Sequence, residues 1–236
     1  MRRLALNLAP LLIAGLMGCG KSGTVTGPPT AQVQWTRSSA GLPGGFCGAL
    51  TSSGSTLVAA TSGGMYRSTD GGVTWTAATT QPPELRYELS IFALTSNGST
   101  LVAGTGGGGV YRSTDSGVTW TAATTQPTGL RVTSLTASGT TLLAGMEDGG
   151  VFRSTNDGLT WTPPTTQPTN RRIWSLAASG TTLLAGMERG SVFRSTDSGL
   201  TWTAATTPPT NGTIISLAAS GTTLLAGTDS YGVFRS

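Results

Sequence analysis

Short apolar runs alternate with polar, glycine-containing turns along most of the chain. In one representative stretch the apolar runs cover residues 132–137, 141–146, 150–154 and 159–165. Glycine together with Ser, Asp or Asn separates these runs, at residues 138–139, 147–149 and 156–158. Runs of about 4–8 residues bounded by such turns predict β-strands. We therefore expect an all-β protein whose short strands are joined by tight turns.

The same stretch contains a motif that recurs along the chain, Ser-x-Asp-x-Gly-x-x-Trp, with Asn in place of Asp in the third copy. The tryptophans of the four copies lie 45, 41 and 41 residues apart. The motif resembles the Asp-box (BNR) repeat of many β-propellers, and four short strands in a unit of this length match one propeller blade. The four boxes consist of Ser68, Asp70, Gly72, Trp75, Ser113, Asp115, Gly117, Trp120, Ser154, Asn156, Gly158, Trp161, Ser195, Asp197, Gly199 and Trp202.

A fifth unit begins at Thr213 and reaches Ser236, the serine position of its own box. Residues 33–36 match residues 73–76, and Trp35 precedes Trp75 by 40 residues, in register with the repeat. We therefore predict a five-bladed β-propeller of four-stranded blades over residues 32–236, closed by an N-terminal strand that completes the last blade. A truncated ring of six or seven blades and a dimer that exchanges strands are the alternatives.

Residues that are alike in every unit are predicted to be structural. In each box the Asp and Ser side chains can hold backbone amides of the hairpin, Gly allows a positive φ, and Trp covers the turn. Asn156 at the Asp position indicates that no charge is needed there, so we expect neither metal binding nor catalysis at the boxes. Cys47 shares the register of Ile91 and is expected to be buried. An arginine with a structural partner recurs after the third-strand aromatic, at Arg67, Arg112, Arg153, Arg194 and Arg235.

The first residues resemble a bacterial export signal. Two arginines and a short apolar stretch lead to Leu16-Met17-Gly18-Cys19, which resembles a lipobox. This resemblance implies a signal peptide over 1–18 and lipidation of Cys19, with a flexible tether over 19–31. We expect a protein anchored by lipid to the cell envelope, at the outer membrane or cell surface. A plain signal peptide with an incidental cysteine is the alternative.

Positions that differ between the units are the candidates for ligand binding. They lie in two loops, one between successive blades and one between the second and third strands, which share a face opposite the boxes. Their acids, arginines and aromatics suit a glycan or a protein loop. The alternative is a solvated surface without a specific ligand. The candidates are Arg86, Tyr87, Glu88, Phe92, Arg131, Glu147, Asp148, Arg171, Arg172, Trp174, Glu188, Arg189, Asp229 and Tyr231.

Composition narrows the function classes further. The net charge is +4, but lysine occurs once and no basic run is present, so we do not expect nucleic-acid binding. Asp-box proteins include sialidases, yet the chain has no histidine and lacks their Arg-Ile-Pro-type motif. It also resembles propellers of the photosystem II assembly factor type, which bind proteins. We expect a monomeric, non-catalytic binding module that binds an unknown protein or glycan and uses neither a metal nor a cofactor. The alternatives are a glycan hydrolase of the sialidase type and a scaffold without a specific ligand.

Overall fold

The computed structural model describes residues 35–38, 40–82, 91–107, 109–127, 131–168, 172–209, 212–221 and 223–236. The predicted signal peptide and tether therefore lie outside the described residues. Within the described ranges the regular secondary structure is β, and no helix there is long and apolar enough to cross a membrane. The sheets all belong to one compact unit, Arg37–Ser236.

The strands form five antiparallel sheets, each built from consecutive strands of one repeat. This confirms the all-β prediction and its division into blade-like repeats. The sheets are β1 (Cys47–Ser53), β2 (Thr56–Thr61), β3 (Gly64–Ser68) and β4 (Thr76–Ala77); β5 (Ile91–Asn97), β6 (Thr100–Thr105), β7 (Val110–Ser113) and β8 (Thr121–Ala122); β9 (Val132–Ser138), β10 (Thr141–Met146) and β11 (Val151–Ser154); β12 (Ile173–Ser179), β13 (Thr182–Met187), β14 (Val192–Ser195) and β15 (Thr203–Ala204); and β16 (Ile214–Ser220), β17 (Thr223–Thr228) and β18 (Val233–Arg235).

The third sheet shows why its fourth strand is shorter than the others. A single bridge joins Arg153 and Thr162, whose backbone N–H groups each donate to the other's carbonyl at 2.9 Å. In the second sheet the ladder continues through the N–H of Ala123, which donates to Val110 O at 3.0 Å. Pro164 stands at the equivalent position of the third repeat and has no N–H to donate, so the strand ends there.

Neighbouring blades contact each other through their first strands, in the order β1, β5, β9, β12 and β16. In the second, third and fourth blades, the second strand carries a glycine at the point where that strand lies closest to the next blade. A Cβ on Gly145 would lie 2.6 Å from Ile173 Cγ2 on the next blade, and one on Gly186 would lie 2.5 Å from Ile214 Cγ2. At these two junctions the glycines therefore leave the room that the isoleucine of the next blade occupies.

At each of three junctions between successive blades, the box tryptophan of the later blade lies in the apolar core that the two blades share. Trp120 lies in the core between the first and second blades, Trp161 in the next core and Trp202 in the third. All three are buried. Trp202, for example, packs with Leu143 of the third blade and Leu183 of the fourth. The tryptophan thus joins two blades as well as covering its own hairpin.

Each described box is a network of short hydrogen bonds. In the first, Ser68 Oγ donates to Asp70 Oδ1 at 2.7 Å, Thr74 N donates to the same oxygen at 2.9 Å, and Gly72, at φ 89°, donates its N–H to Ser68 Oγ at 2.9 Å. The Thr74 hydroxyl and amide, followed by the Ser68 hydroxyl, lower the pKa of Asp70 to about 2. Asn156 accepts the equivalent amide bond at 3.0 Å, so the turn forms without a carboxylate.

The recurring arginines bind the box of the next blade, which confirms the predicted structural partner at three of the five positions. In each case the arginine Nε donates to the carbonyl of a box residue whose φ is 56–59°. The three bonds join Arg67 to Ser116 O at 2.9 Å, Arg112 to Asp157 O at 3.0 Å and Arg153 to Ser198 O at 3.2 Å.

The predicted burial of Cys47 is wrong, because Cys47 is exposed. Its counterparts Val132 and Ile173 are buried because each packs against the glycine of the preceding blade. Among the described glycines, none lies against Cys47 in this way. The position of Cys47 in its strand determines the direction in which its side chain points, but burial also requires a residue of another blade to cover that side chain.

Ring closure is not visible in the described residues. Trp35 is 81 % exposed, and neither Trp35 nor Thr36 belongs to a described strand. Val33 and Gln34 lie outside the described residues, and the described part of the fifth sheet has three strands. The exact number of blades and the closing strand stay predictions.

Candidate functional site

Two loops meet at one end of the third sheet. Val132 at the start of β9 is paired with Met146 at the end of β10, so Arg131 and Glu147 are neighbours. Glu147 N donates to Arg131 O at 2.8 Å, which fixes this pairing. Both residues are partly buried.

Glu147 also reaches across the junction to the fourth blade. One carboxylate oxygen lies 3.6 Å from Arg131 Nε, and the other forms an ion pair with Arg172 Nη2. Arg172 immediately precedes β12, so this pair joins two blades. The three side chains remain 38 %, 26 % and 27 % exposed for Arg131, Glu147 and Arg172, which leaves them open to a ligand.

Each of the two arginines stacks on an aromatic ring. The guanidinium carbon of Arg131 lies 4.4 Å from the ring centroid of Phe92 on β5, and that of Arg172 lies 4.1 Å from Trp174 on β12. Such contacts contribute about 0.5–1 kcal/mol at exposed sites. The five side chains form a continuous row, which we call the arginine–aromatic row: Phe92, Arg131, Glu147, Arg172 and Trp174.

The charges of the arginine–aromatic row favour an anionic ligand. Among these five side chains, two guanidinium groups share the one carboxylate of Glu147, so the row itself carries one more positive than negative charge. Within the described residues, the buried Nε atoms of Arg131 and Arg172 have no hydrogen-bond partner at normal distance. Stacking holds each guanidinium plane and leaves its edges for in-plane hydrogen bonds, the geometry that binds a carboxylate through two bonds.

The row lies at the opposite end of the blades from the boxes. In the third sheet Leu142 is paired with the box residue Ser154, whereas Glu147 follows the other end of β10. The other four members lie at the starts of β5, β9 and β12, which are the strands that contact one another between blades. The register therefore agrees with the prediction that the variable loops and the boxes lie on different faces.

The structure brings together five of the predicted binding residues, and the others lie elsewhere or outside it. Asp148 and Arg189 are exposed and Glu188 is partly buried in the same kind of loop. On the fifth blade Asp229 Oδ1 accepts a bond from Thr213 N at 2.9 Å, and Tyr231 is 57 % exposed. Cys19, Arg86, Tyr87, Glu88 and Arg171 lie outside the described residues.

Sequence reasoning missed a recurring glutamine that supports the third strand. Gln126 Oε1 accepts from Val110 N at 2.7 Å, and its Nε2 donates to Val110 O at 3.1 Å. Gln167 makes the same pair of bonds with Val151, each at 3.0 Å. The repeated Thr-Thr-Gln-Pro segments carried this signal.

Family models agree with this architecture. Residues 89–218, more than half of the chain, match the model described as the DUF6242 beta propeller domain. The chain belongs to this family. A second model, the BNR/Asp-box repeat, matches residues 66–77, which include the first box. No curated protein matches the sequence.

Solved structures share the fold at low sequence identity. The GH74 xyloglucanase from Xanthomonas campestris is 19 % identical with a TM-score of 0.62, over 86 % of this chain and 37 % of the enzyme. The extracellular domain of BT4673 from B. thetaiotaomicron is 20 % identical with a TM-score of 0.61, over 80 % of this chain and 27 % of that domain. YCF48 bound to D1 peptide is 16 % identical with a TM-score of 0.57, over 77 % of this chain and 59 % of YCF48.

The chain thus spans between about a quarter and three fifths of these structures. Together they confirm the resemblance to Asp-box propellers of the sialidase-like and photosystem II assembly factor types. At such identities the likeness concerns the fold alone.

Proposed function

We propose that this propeller is a non-catalytic binding module of the cell envelope that binds a carboxylate-bearing segment of a partner protein. The observation that carries the proposal is the arginine–aromatic row. Its two stacked guanidinium groups share the single carboxylate of Glu147 and are partly open to solvent. Preoriented arginines next to aromatic rings are typical of binding hot spots.

A protein segment is favoured as the ligand for two reasons. Acidic side chains and a free C-terminus supply carboxylates that accept two bonds from one guanidinium. In addition, a similarly folded structure, YCF48, is bound to a peptide. An acidic glycan would offer the same carboxylate chemistry, so the experiment must separate the two sources.

The test compares fluorescently labelled acidic peptides, their amidated and neutral counterparts, and acidic oligosaccharides by anisotropy. We expect the acidic peptides to bind, and the variant Arg131→Gln/Arg172→Gln to lose at least about tenfold in affinity, because bonds to charged groups contribute about 1.5–3 kcal/mol each. The variant Arg194→Gln/Arg235→Gln changes the net charge equally and should bind as the wild type does, because both arginines are exposed and the bond described for Arg194 stays within its own sheet. Equal losses in both variants, or binding of the oligosaccharides alone, would contradict the proposal.

A glycan hydrolase is the second candidate, because a GH74 xyloglucanase shares the fold. In our proposal Glu147 is paired with the two arginines, competes with the carboxylate of the ligand and performs no bond cleavage. Xyloglucan and a fluorogenic sialoside should therefore show no turnover with the wild type. Turnover that Glu147→Gln abolishes would replace the binding proposal with a catalytic one.

Export and lipid anchoring are part of the proposal. They are supported by the lipobox-like residues before Cys19 and by the likeness to an extracellular domain. Metabolic labelling of the full chain with a clickable fatty acid in a bacterial host should modify the wild type but not Cys19→Ser. Labelling of both, or of neither, would contradict the anchor.

We also propose that the five blades form one closed ring in a monomer. The support comes from the segment after Trp35, in which Ala40 O accepts the N–H of Trp75 at 2.9 Å. At the next junction Thr80 Oγ1 accepts the N–H of Trp120 at 3.0 Å, and Thr80 follows Ala40 by one repeat. Light scattering should give the mass of one chain, whereas the mass of two chains would contradict the ring.

A further inference from the structure

The loop that joins β13 and β14 contains an arginine in a backbone conformation that arginine rarely adopts. Arg189 has φ 58° and the next residue, Gly190, has φ 71°. Ser191 N donates to Glu188 O at 3.4 Å, so residues 188–191 form a turn with two consecutive positive φ values. This is the pattern of a type I′ turn, in which Asn, Asp or Gly normally occupies the first central position. Arginine at that position costs stability, because its Cβ crowds the backbone.

The residues around this turn hold its backbone in place. Met187 N donates to Ser191 O at 3.0 Å, which closes the turn at its base. The N–H of Gly190, which is buried, donates to the carbonyl of Gly212 on the segment before β16. A strained backbone persists where the surrounding structure determines it in this way, and such positions are concentrated at functional sites.

The other non-glycine residues with a positive φ have a structural role that Arg189 lacks. Among the described residues they are Ser116, Asp157 and Ser198, and the carbonyl of each accepts a bond from an arginine of the preceding blade. Arg189 is exposed, and within the described ranges its guanidinium group has neither an ion pair nor a hydrogen bond. The strained turn therefore presents a free cation to the solvent.

The strand register places this cation beside the arginine–aromatic row. Ile173 at the start of β12 is paired with Met187 at the end of β13, so Arg172 is opposite Glu188 and Arg189 is the next residue. From the spacing of paired strands and of consecutive residues, the Cα atoms of Arg172 and Arg189 lie within about 10 Å of each other. One ligand can therefore contact both side chains.

The third blade carries the opposite charge at the equivalent position. Asp148 is exposed and follows Glu147, just as Arg189 follows Glu188. A ligand whose carboxylate binds Arg172 would have a second carboxylate repelled by Asp148 and attracted by Arg189. The charges of the two loops thus direct an acidic segment from the row towards the fourth blade.

We infer that Arg189 binds a second carboxylate of the partner segment, so that the site recognises a pair of acidic residues. This inference rests on the proposed function of the arginine–aromatic row. Alternate residues of an extended segment point to the same side and lie about 7 Å apart. Two acidic residues separated by one other residue therefore have the spacing that suits Arg172 and Arg189.

The test compares two labelled peptides by anisotropy, one with a single Asp among neutral residues and one with two Asp separated by one residue. We expect the wild type to bind the two-Asp peptide at least about tenfold more tightly, because a second charged bond is made. Arg189→Asn should remove this advantage and weaken the single-Asp peptide far less. Arg194→Asn removes the same charge from an exposed position on β14 and should preserve the advantage.

The outcomes separate this inference from the proposed function. If the single-Asp peptide binds and depends on Arg131 and Arg172, but Arg189→Asn keeps the advantage of the two-Asp peptide, the inference is overturned and the proposed function stands. Equal loss of the advantage in Arg189→Asn and Arg194→Asn would also overturn the inference. If neither peptide binds the wild type, the proposed function fails and the inference fails with it.

Thermal unfolding distinguishes a binding role of Arg189 from a structural one. Asn adopts a positive φ more readily than Arg or Ser does, so Arg189→Asn and Ser198→Asn should both raise the unfolding midpoint. Only Arg189→Asn should also lose the preference for the two-Asp peptide. A lowered midpoint in Arg189→Asn would show that Arg189 supports the fold, and this result would overturn the inference.

Discussion

Gly145→Ala tests how closely the third and fourth blades approach. The new Cβ would lie 2.6 Å from Ile173 Cγ2 and 2.9 Å from Ile173 Cβ, both closer than real Cβ contacts. Ile173 is fully buried and β-branched, so it cannot turn aside. Overpacking of this kind costs about 1–3 kcal/mol. For a domain of this size each kcal/mol lowers the unfolding midpoint by about 2–4 °C, so we expect a drop of about 2–12 °C.

A double-mutant cycle with Ile173→Ala, measured by urea unfolding, isolates this contact. Ile173→Ala alone should cost about 2–5 kcal/mol, and its cost should fall when Ala replaces Gly145, because the clash is then relieved. Ala60 occupies the equivalent position of the first blade and is buried, so Ala60→Gly serves as the matched control. If Gly145→Ala is neutral and the two substitutions are additive, the blades can move apart freely and the packing argument fails.

The same substitution links packing to the site. Gly145 lies two residues before Glu147, and Ile173 directly follows Arg172, so blades forced apart should weaken the ion pair between Arg172 and Glu147. Gly145→Ala should therefore also reduce the affinity for acidic peptides. Unchanged affinity in a destabilised variant would show that the ion pair tolerates wider spacing.

Three further outcomes are expected. The pKa of Asp70 is about 2 in the folded protein, below its ordinary value, so ionised Asp70 stabilises the fold fully above about pH 4 and this stabilisation is lost as the pH falls toward 2. The unfolding midpoint should therefore decrease less between about pH 4 and pH 2 in Asp70→Asn than in the wild type. An unchanged decrease would exclude Asp70 as its source. Ser198→Gly should raise the free energy of unfolding, measured with urea, by less than about 1 kcal/mol, because Ser198 has φ 59° and Gly71 occupies this box position in the first blade. A lower free energy of unfolding would contradict this expectation. Glu147→Gln should tighten the binding of acidic peptides by up to about tenfold, or about 1.4 kcal/mol, because a competing carboxylate is removed; weaker binding would assign Glu147 to ligand contact.

Sequence reasoning predicted the repeated elements well because the blade repeats its pattern. The third repeat was expected to have strands at 132–137, 141–146 and 150–154, and the structure has β9, β10 and β11 within one residue of those bounds. The fourth strand was predicted too long. The fourth strands β4, β8 and β15 have only two residues each, and in the third blade Pro164, which has no N–H to donate, reduces the pairing to a single bridge.

The site was predicted as a set of residues but not as an arrangement. Arg131, Glu147 and Arg172 stood out because the repeats differ at these positions. Their pairing could not be derived, since the contact between Arg172 and Glu147 crosses a junction whose spacing is set by packing between sheets. Cys47 was placed wrongly for a related reason, because its burial depends on a neighbouring blade and not on its own strand.

Hydrogen–deuterium exchange with a saturating acidic peptide tests the central claim most directly, because it maps the bound surface residue by residue. The proposed binding mode predicts slower exchange at the start of β5, at residues 131–134, at Glu147 and at the start of β12, with the boxes unchanged. Protection confined to the boxes or to the outer strands would contradict the claim that the arginine–aromatic row binds the partner.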